Sequence, residues 1–248
     1  MTSYSKLNGI SAFTKVNGIT TWSKINGLVK PSSLLVGITS YYKLDESSGT
    51  VATDSTGNSD GTNYSATVNQ TGKIGTSYSF NGTGSYIYTN QTNQSDYVSI
   101  CAWIYPTSVT SRSIVSADQD GTGQPRNWQF TIESGILNFI FIDLPTGVYF
   151  ATSTTTLAIN NWYFVCAVTN GTDIKLYVNN NLEDTEPAPA VMQHNAKIDI
   201  GVTRQNANPI GKFFSGKIDE VGIWSRALTS TEVTQLYNSG SGKTYPFL

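Results

Sequence analysis

Residues 216–237 read GKIDEVGIWSRALTSTEVTQLY, and this stretch indicates two elements in direct succession. Its first half clusters apolar and β-branched residues as β-strands do. Thr229-Ser-Thr-Glu232 is then a capping box, in which a threonine and a glutamate three positions later satisfy the free amides of a helix start. The stretch therefore predicts a strand and then one short helix, whose apolar residues are Val233, Leu236 and Tyr237.

Upstream of this stretch, short alternating or fully apolar runs follow one another from Thr39 onward. Examples are SYYKL, YVSICAWIYP, ILNFIFID and WYFVCAVTN, separated by Gly, Asn, Asp, Ser and Thr. Turn signals recur at intervals of roughly 8–12 residues, which is the spacing of strands in a sandwich or jelly roll. The sequence therefore predicts an all-β fold with one C-terminal helix.

The composition excludes two classes of partner. Charged residues make up 13% of the 248 residues and the formal net charge is −2, without a basic cluster, so no nucleic-acid binding is expected. No apolar run is long enough to span a bilayer, so no membrane insertion is expected. The first residues, MTSYSKLNG, lack the apolar core of a signal peptide.

The first 28 residues contain the same motif three times, with a period of nine residues: an aromatic, a hydroxyl, a lysine, an aliphatic and Asn-Gly. Asn-Gly favours a two-residue type I′ hairpin turn, so the phrase predicts a small meander of hairpins. Such a ribbon is marginal in water by itself and needs a partner surface; a disordered leader is the alternative. The residues assigned to docking or assembly are Tyr4, Phe13, Trp22, Asn8, Gly9, Asn17, Gly18, Asn26 and Gly27.

Five stretches, in this order, resemble the laminin G-like, concanavalin A-like lectin/glucanase superfamily. They are YYKLDESSGTVATDSTGNSDGT (41–62), KIGTSYSFNGTGSYI (73–87), VSICAWIYPT (98–107), NNWYFVCAVTNGTDIKLYVNNNLE (160–183) and residues 216–237. The resemblance implies a two-sheet antiparallel jelly-roll sandwich, concanavalin A-like, with six or seven strands in each sheet. It also implies that Trp103, Trp162 and Trp224 are core aromatics. We therefore divide the chain into a docking segment (1–30), a linker (31–38), the sandwich (39–243) and a tail (244–248).

Calcium is the cofactor that the resemblance implies. Members of the superfamily commonly share a structural Ca²⁺ between an early acidic loop and an acidic residue of the late strand, and Ca²⁺ takes six to eight oxygen ligands. The corresponding side chains are Asp54 and Asp219, with Asn58 and Gly61 as carbonyl ligands; Asp60 and Glu220 are further candidates. An Asx-turn that caps its own backbone, without metal, is the alternative for the early loop.

Sugar binding needs an exposed aromatic ring beside planar hydrogen-bonding groups. Candidates in loops and strand ends are Arg126, Asn127, Trp128, Tyr149, Gln193, His194, Asn195, Arg204, Gln205 and Asn206. For Trp128, a place in the core is as plausible as a platform, since large aromatics are mostly buried. A surface loop is the simpler interpretation of His194, the only histidine of the chain.

Catalysis is not expected. A retaining glycosidase of this fold would need two carboxylates about 5 Å apart, commonly on a Glu-x-Asp-x-x-Glu strand, and the chain has no such strand. Cys101 and Cys166 lie in apolar strand-like runs and are interpreted as buried thiols; a disulfide stays open, because its distance requirement cannot be read from sequence.

The repeat before a laminin G-like module also resembles arrangements in bacteriophage tail, fibre and capsid-surface proteins. This resemblance implies a non-enzymatic virion structural protein that displays its sandwich on the virion surface for binding glycan. Residues 1–30 would bind other virion proteins or sister chains, and a homotrimer would suit a fibre. The alternative is a carbohydrate-binding or adhesion module of an extracellular or cell-surface protein.

Overall fold

The computed structural model describes residues 4–7, 10–13, 32–120, 126–143, 147–188, 194–205 and 208–248. Twenty strands and one α-helix are present in these residues. The strands are β1 Tyr4–Leu7, β2 Ile10–Phe13, β3 Ile38–Tyr42, β4 Val51–Ala52, β5 Gly61–Tyr64, β6 Thr67–Thr71, β7 Thr76–Asn81, β8 Tyr86–Thr92, β9 Val98–Pro106, β10 Ser111–Asp120, β11 Arg126–Glu133, β12 Ile136–Asp143, β13 Gly147–Thr156, β14 Tyr163–Thr169, β15 Asp173–Val178, β16 Asn181–Pro187, β17 Lys197–Ile200, β18 Thr203–Gln205, β19 Asn208–Gly211 and β20 Ser215–Trp224. The helix is α1 Ser230–Tyr237, and 3₁₀ turns occupy Ser33–Leu35 and Asn238–Gly240.

Two large sheets form the predicted jelly-roll sandwich. The ten-stranded sheet has the order β13-β12-β11-β10-β17-β8-β5-β4, with β18 beside β10 and β19 beside β18. The eight-stranded sheet has the order β16-β15-β14-β9-β20-β7-β6, with β3 beside β20. Pairing is antiparallel except between β10 and β18. Both sheets exceed the expected six or seven strands, because short strands such as β3, β4, β18 and β19 extend them.

Strand β20, the first half of the stretch 216–237, organises the eight-stranded sheet. One side pairs with β9, and the other pairs first with β7 and then with β3. Between Asp219 and Gly222 two residues face the single residue Ala102 of β9, which is a β-bulge. Glu220, inside this bulge, has a positive φ of 52°. The bulge therefore interrupts the regular alternation of side chains between the two faces of the sheet at Asp219 and Glu220, the acidic residues of KIDEV.

Apolar side chains from the facing sides of the two sheets form the main core. Strand β11 contributes Trp128, Phe130 and Ile132, all with no exposed surface. They pack beside Phe139 and Phe141 of β12; the rings of Phe139 and Phe141 lie edge to face with centroids 5.0 Å apart. The alternation of β11 therefore places Asn127, Gln129 and Thr131 on the opposite, outer side of the ten-stranded sheet.

A second core covers the outer side of the eight-stranded sheet. Helix α1 packs Val233 and Leu236 there beside the expected core residues Trp103 and Trp224, while Trp162 is partly buried at its margin. The helix begins with the predicted capping box between Thr229 and Glu232. An amphipathic helix this short is stabilised mainly by such packing.

The segments predicted as a linker and a tail both join this second core. Leu34 is fully buried, and its carbonyl oxygen accepts a 2.7 Å hydrogen bond from Nε1 of Trp224. Phe247 is buried edge to face against Tyr41, with ring centroids 5.2 Å apart. Residues 32–38 and 244–248, predicted as a linker and a tail, are therefore packed against the body of the sandwich. Pro31 and Ser32-Ser33 indicated a connector there, although Leu34 and Leu35, which follow directly, are buried.

The first hairpin of the N-terminal repeat is present as predicted. Strands β1 and β2 pair antiparallel, with Tyr4 opposite Phe13 and Leu7 opposite Ile10. Among the described residues this pair forms its own two-stranded sheet, separate from the sandwich. The other docking residues, Asn8, Gly9, Asn17, Gly18, Trp22, Asn26 and Gly27, lie outside the described residues.

Cys101 and Cys166, interpreted from sequence as thiols, are joined by a disulfide. The two residues are directly opposite each other in β9 and β14, with Cα atoms 4.1 Å apart. The two cysteines are 65 residues apart in the sequence and lie opposite each other because of the register in which β14 pairs with β9. The disulfide therefore links two central strands under the second core.

Candidate functional site

The ends of several strands bring most of the predicted sugar-binding positions to one end of the ten-stranded sheet. Strands β10 and β12 finish there, and β11, β13 and β17 begin there. We call this the loop end. Strand β18 runs parallel to β10 at the same end, with Arg204 opposite Gln119. The loop end therefore gathers the backbone of Arg126 with Tyr149, His194, Asn195 and Arg204.

Both predicted sugar-binding aromatics lie on the core side of their strands; Trp128 is fully buried, which corrects its assignment, whereas Tyr149 is half-buried. Trp128 has no exposed surface and lies in the main core beside Phe139, with ring centroids 5.9 Å apart. Tyr149 is opposite Phe141 and packs against the same core. Alternation in RNWQFTIE puts Trp128 in phase with Phe130 and Ile132, and this signal already indicated an inward ring. The side chain of Arg126, and Gln193 and Asn206 entirely, lie outside the described residues.

His194 and Asn195 lie at the surface, where they contact the segment that follows β8. The Nε2 atom of His194 lies 3.1 Å from Oδ1 of Asp96, and both side chains are more than one-third exposed. The Oδ1 atom of Asn195 accepts a 2.9 Å hydrogen bond from the Gln94 amide. These contacts join the residues just before β17 to the loop after β8. His194 lies at the surface, as the sequence indicated.

Arg204 crosses the outer side of the ten-stranded sheet and pairs with a buried carboxylate. Its guanidinium donates to both oxygens of Asp199, with Nη2 3.0 Å from Oδ1. Asp199 has no exposed surface. Burial raises the pKa of Asp199 to about 7, although the hydrogen bonds and charge of Arg204 act in the opposite direction. The ion pair fixes Arg204 over the sheet.

One exposed aromatic ring, that of Tyr64, and three half-buried ones lie beside this ion pair. The rings of Tyr64 and Tyr86 are stacked, with centroids 4.7 Å apart and an interplanar angle of 8°. The guanidinium of Arg204 lies 5.5 Å from the ring centroid of Tyr86 and 4.5 Å from that of Tyr88. The ring centroid of Phe213 lies 6.4 Å from that of Tyr86. We call Tyr64, Tyr86, Tyr88, Phe213 and Arg204 the aromatic platform.

The platform was missed in the sequence apart from Arg204. Tyr86 and Tyr88 alternate with the buried residues Ile87 and Thr89, and this pattern shows that both tyrosines face outward. Tyr64 stands 22 positions before Tyr86, and only the register of β5 on β8 places the two opposite each other. Phe213 approaches from the segment between β19 and β20. No local spacing in the sequence predicts this group.

A cleft opens between the two sheets at the loop end. Its volume is about 370 Å³. Val98, Ile198 and Ile223 form an apolar floor, and each is almost fully buried. The rim is formed by Thr39, Gln91, Thr92, Asn93, Gln94, Ser95, Trp224 and Ser225. We call this the end cleft; it contacts the predicted site through the hydrogen bond between Gln94 and Asn195.

The early loop proposed for calcium is held by hydrogen bonds to its own backbone. Oδ1 of Asp54 accepts from the amides of Tyr41 and Thr56, and Oδ2 accepts from the amide of Ser59. Asn58 donates its amide to the carbonyl oxygen of Thr39. Gly61 is a residue of β5, where an added Cβ would lie 2.6 Å from the Ile87 side chain. This is the self-capped turn that was the alternative interpretation.

The late acidic residues lie in a different environment from Asp54. Oδ2 of Asp219 accepts from the amides of Lys73 and Ile74, and Glu220 pairs with the hydroxyl of Tyr41. Burial raises the pKa of Asp219 to about 8 and that of Glu220 to about 7, although the hydrogen bonds that each carboxyl accepts act to lower its pKa. Their second oxygens, Oδ1 and Oε1, are buried without a hydrogen-bond partner.

The donor set therefore does not fit the predicted calcium ion. Asp54 and Asp219 share no hydrogen-bond partner, and both oxygens of Asp54 are taken by amide and hydroxyl groups. Among the described residues, no three His, Cys, Asp or Glu side chains are grouped so that they could hold a metal ion. Calcium stays a prediction that these contacts do not support. In the same residues, no helix is long and apolar enough to span a bilayer.

Comparison with known proteins identifies related sequences and folds. The family model described as the concanavalin A-like lectin/glucanases superfamily matches residues 80–234. Comparison with curated protein sequences finds no match. Among solved structures, the receptor-binding domain of a botulinum neurotoxin C/D mosaic serotype superposes with a TM-score of 0.64 at 20% identity, over 82% of this chain and 51% of that one.

Two further solved structures extend this similarity. The binding domain of Paraclostridial Mosquitocidal Protein 1 superposes with a TM-score of 0.66 at 17% identity, over 84% of this chain and 53% of that one. The botulinum neurotoxin serotype D ligand-binding domain in complex with N-acetylneuraminic acid superposes with a TM-score of 0.62 at 19% identity, over 82% of this chain and 50% of that one. The chain thus spans about half the length of these structures, and at such identities the likeness concerns the fold alone.

Proposed function

Because the chain belongs to the concanavalin A-like lectin/glucanase superfamily, we propose that it is a non-catalytic glycan-binding domain whose sugar contacts are made by the aromatic platform. The observation that carries this proposal is the parallel stack of Tyr64 and Tyr86 on the outer side of the ten-stranded sheet. Tyr64 is 45% exposed, so one large aromatic ring faces solvent. The apolar C–H face of a sugar ring packs well on such a surface.

The electrostatics of the platform favour a neutral sugar ring. The positive charge of Arg204 is balanced by Asp199, so the site carries an ion pair and no net charge from these two residues. Arg204 is nearly buried and held on both sides, by Asp199 and by the ring of Tyr88. A site with its side chains already fixed loses little conformational entropy when it binds a ligand.

Several features support a binding role without catalysis. On the outer side of the ten-stranded sheet, Asp118 and Asp199 are carboxylates without exposed surface. Asp199 pairs with Arg204, and Asp118 accepts from the amide of Gln129. A glycosidase needs two carboxylates that reach the substrate from opposite sides. The neurotoxin domain with bound N-acetylneuraminic acid supports the same view by analogy of fold only.

Glycan binding at the platform is tested on a glycan array with the complete chain. Tyr86→Ala should reduce binding by about 2- to 13-fold, since stacking on one aromatic ring contributes about 0.5–1.5 kcal/mol. Tyr97→Ala is the matched control, because Tyr97 is 47% exposed and lies outside the platform. Equal binding by wild type, Tyr86→Ala and Tyr97→Ala would refute the assignment of the platform.

A second part of the proposal concerns where the domain is displayed. We propose that it is carried on the surface of a bacteriophage particle, with residues 1–30 bound to other virion proteins or to sister chains, as in a homotrimer. The observation that favours this role is that β1 and β2 pair only with each other among the described residues. An isolated two-stranded ribbon is marginal in water, so a partner surface would stabilise it.

Particle assembly provides the test of this second part. Deletion of residues 1–30 should leave a folded sandwich that still binds glycan but is absent from purified particles analysed by mass spectrometry. Normal incorporation of the truncated chain would refute the docking role. Detection of the full chain in host cell-surface fractions and never in particles would favour an adhesion module instead.

A further inference from the structure

The end cleft has the chemistry of a ligand site separate from the aromatic platform. Its floor, Val98, Ile198 and Ile223, offers apolar surface, while the rim offers neutral amide and hydroxyl groups. A volume of about 370 Å³ falls within the range of about 300–1,000 Å³ that small-molecule sites occupy. The cleft therefore has room for a single small ring compound.

The lining of the cleft limits the charge of a ligand. No Asp, Glu, Lys, Arg or His is among the residues that line it. A charged group that entered would lose hydration without gaining a partner of opposite charge. A purely apolar ligand would in turn remove water from the amide and hydroxyl groups of the rim without replacing its hydrogen bonds. A neutral ring that has both C–H faces and hydroxyl groups satisfies both requirements.

The rim is held in place by its own contacts. Ser95 donates a 3.2 Å hydrogen bond to the carbonyl oxygen of Ser225, which joins one side of the cleft to the other. The amide of Gln94 donates to Oγ1 of Thr92 at 2.7 Å and to Asn195 at 2.9 Å. The backbone amide of Asn93 donates to the carbonyl oxygen of Ala196 at 3.0 Å. The cleft is therefore preformed.

Gln91 provides a polar group for a ligand. Its side chain is half-buried at the rim and makes no hydrogen bond to another described residue. The amide can donate to one hydroxyl group of a ligand and accept from a neighbouring one. Gln91 stands only three positions after Tyr88 on β8, so the end cleft is roughly 10 Å along the strand from the platform.

We propose that the end cleft binds a neutral, polyhydroxylated ring of the size of one monosaccharide, with Gln91 as its main hydrogen-bonding anchor. This site is independent of the platform, and its ligand does not have to be the glycan that the platform binds. The apolar floor packs against the C–H face of the ring, and the rim contacts its hydroxyl groups.

Nuclear magnetic resonance of the complete chain tests this site with methyl glycosides of neutral hexoses as probes and methyl glucuronide as the charged comparison. Neutral probes should shift the amide signals of Gln91, Gln94, Ser95 and Ser225, and methyl glucuronide should not. Gln91→Ala should raise the dissociation constant about fivefold, which corresponds to the loss of one hydrogen bond. Gln70→Ala is the matched control, since Gln70 is a half-buried glutamine on β6 in the other sheet.

The outcomes separate this site from the platform. The inference is supported if the neutral probes still shift the cleft amides in Tyr86→Ala and bind more weakly to Gln91→Ala but not to Gln70→Ala. This holds even if no glycan on the array binds. The inference is overturned if the neutral probes leave these four amides unchanged, if methyl glucuronide binds equally well, or if Tyr86→Ala abolishes the shifts.

Discussion

The guanidinium of Arg204 lies over the ring of Tyr88, 4.5 Å from its centroid, while the same group is paired with the buried carboxylate of Asp199. One side chain thereby joins the hairpin of β18 and β19 to the outer side of the ten-stranded sheet. The alternation of β8 leaves Tyr88 facing outward, and the pairing of β17 with β8 puts Asp199 directly opposite it. The platform therefore depends on a buried ion pair as well as on its aromatic rings.

Arg204→Ala should destabilise the fold strongly. Removing one partner of a buried pair leaves the other charge uncompensated, which typically costs about 3–5 kcal/mol. Because Arg204 acts to lower the pKa of Asp199, which burial raises to about 7, an Asp199 without Arg204 should keep its proton up to a higher pH and carry no uncompensated charge at pH 6. We therefore expect the loss in the free energy of unfolding to be larger at pH 8 than at pH 6, as measured by urea denaturation.

The double variant Asp199→Asn with Arg204→Gln provides the control for charge. It removes both charges and leaves two neutral amides that can hydrogen-bond to each other, so it should recover much of the stability that Arg204→Ala loses. Equal stability of Arg204→Ala and wild type at pH 8 would contradict the view that this pair fixes the platform.

Trp128→Ala tests the corrected position of this residue. Because the ring is fully buried in the main core, its removal should lower the free energy of unfolding by about 3–5 kcal/mol. Trp128→Phe should lose much less, since it keeps a large apolar ring. Glycan binding of the folded Trp128→Phe variant should match that of wild type. A selective loss of glycan binding in a fully stable variant would instead indicate that this tryptophan contacts the sugar.

The sequence predicted the architecture because its signals are local. The run of β20 followed by the capping box of α1 needs no distant partner to be recognised, and the same holds for Asn-Gly turns and alternating strands. The stack of Tyr64 on Tyr86, the opposition of Cys101 and Cys166 and the burial of Leu34 depend on which strands are neighbours and in which register. A one-residue change of register would move Tyr64 to the other side of β5. Sites built across strands are therefore the features that alternation alone does not reveal.

The ion pair between Arg226 and Glu232 predicts a loss of stability in acid. Burial acts to raise the pKa of Glu232, but hydrogen bonds from Arg226 and from the Thr229 amide outweigh it and lower the pKa to about 2. A carboxylate whose pKa is lowered by folding contributes stability above its unfolded pKa of 4.5, and this contribution is lost as the pH falls toward 2. The stability advantage of wild type over Glu232→Gln should therefore shrink between pH 4.5 and pH 2.

Urea denaturation at several pH values measures this effect. Glutamine retains the capping box, so the comparison isolates the charge from the helix cap. Glu186→Gln on strand β16 is the matched control, because Glu186 is exposed. A constant difference between wild type and Glu232→Gln from pH 7 to pH 2 would show that the charge of Glu232 does not stabilise the fold.

Calcium removal distinguishes the predicted metal loop from the self-capped turn. Both oxygens of Asp54 already accept hydrogen bonds from amides of the loop and of β3, so a calcium ion would have to displace them. We therefore expect the unfolding temperature of the chain to be the same in EDTA and in millimolar CaCl₂. Asp54→Ala should lower the unfolding temperature equally in both conditions, because it removes the turn's acceptors. A rise of several degrees on adding calcium, lost in Asp219→Asn, would instead show that the buried, unpartnered oxygen of Asp219 binds the ion.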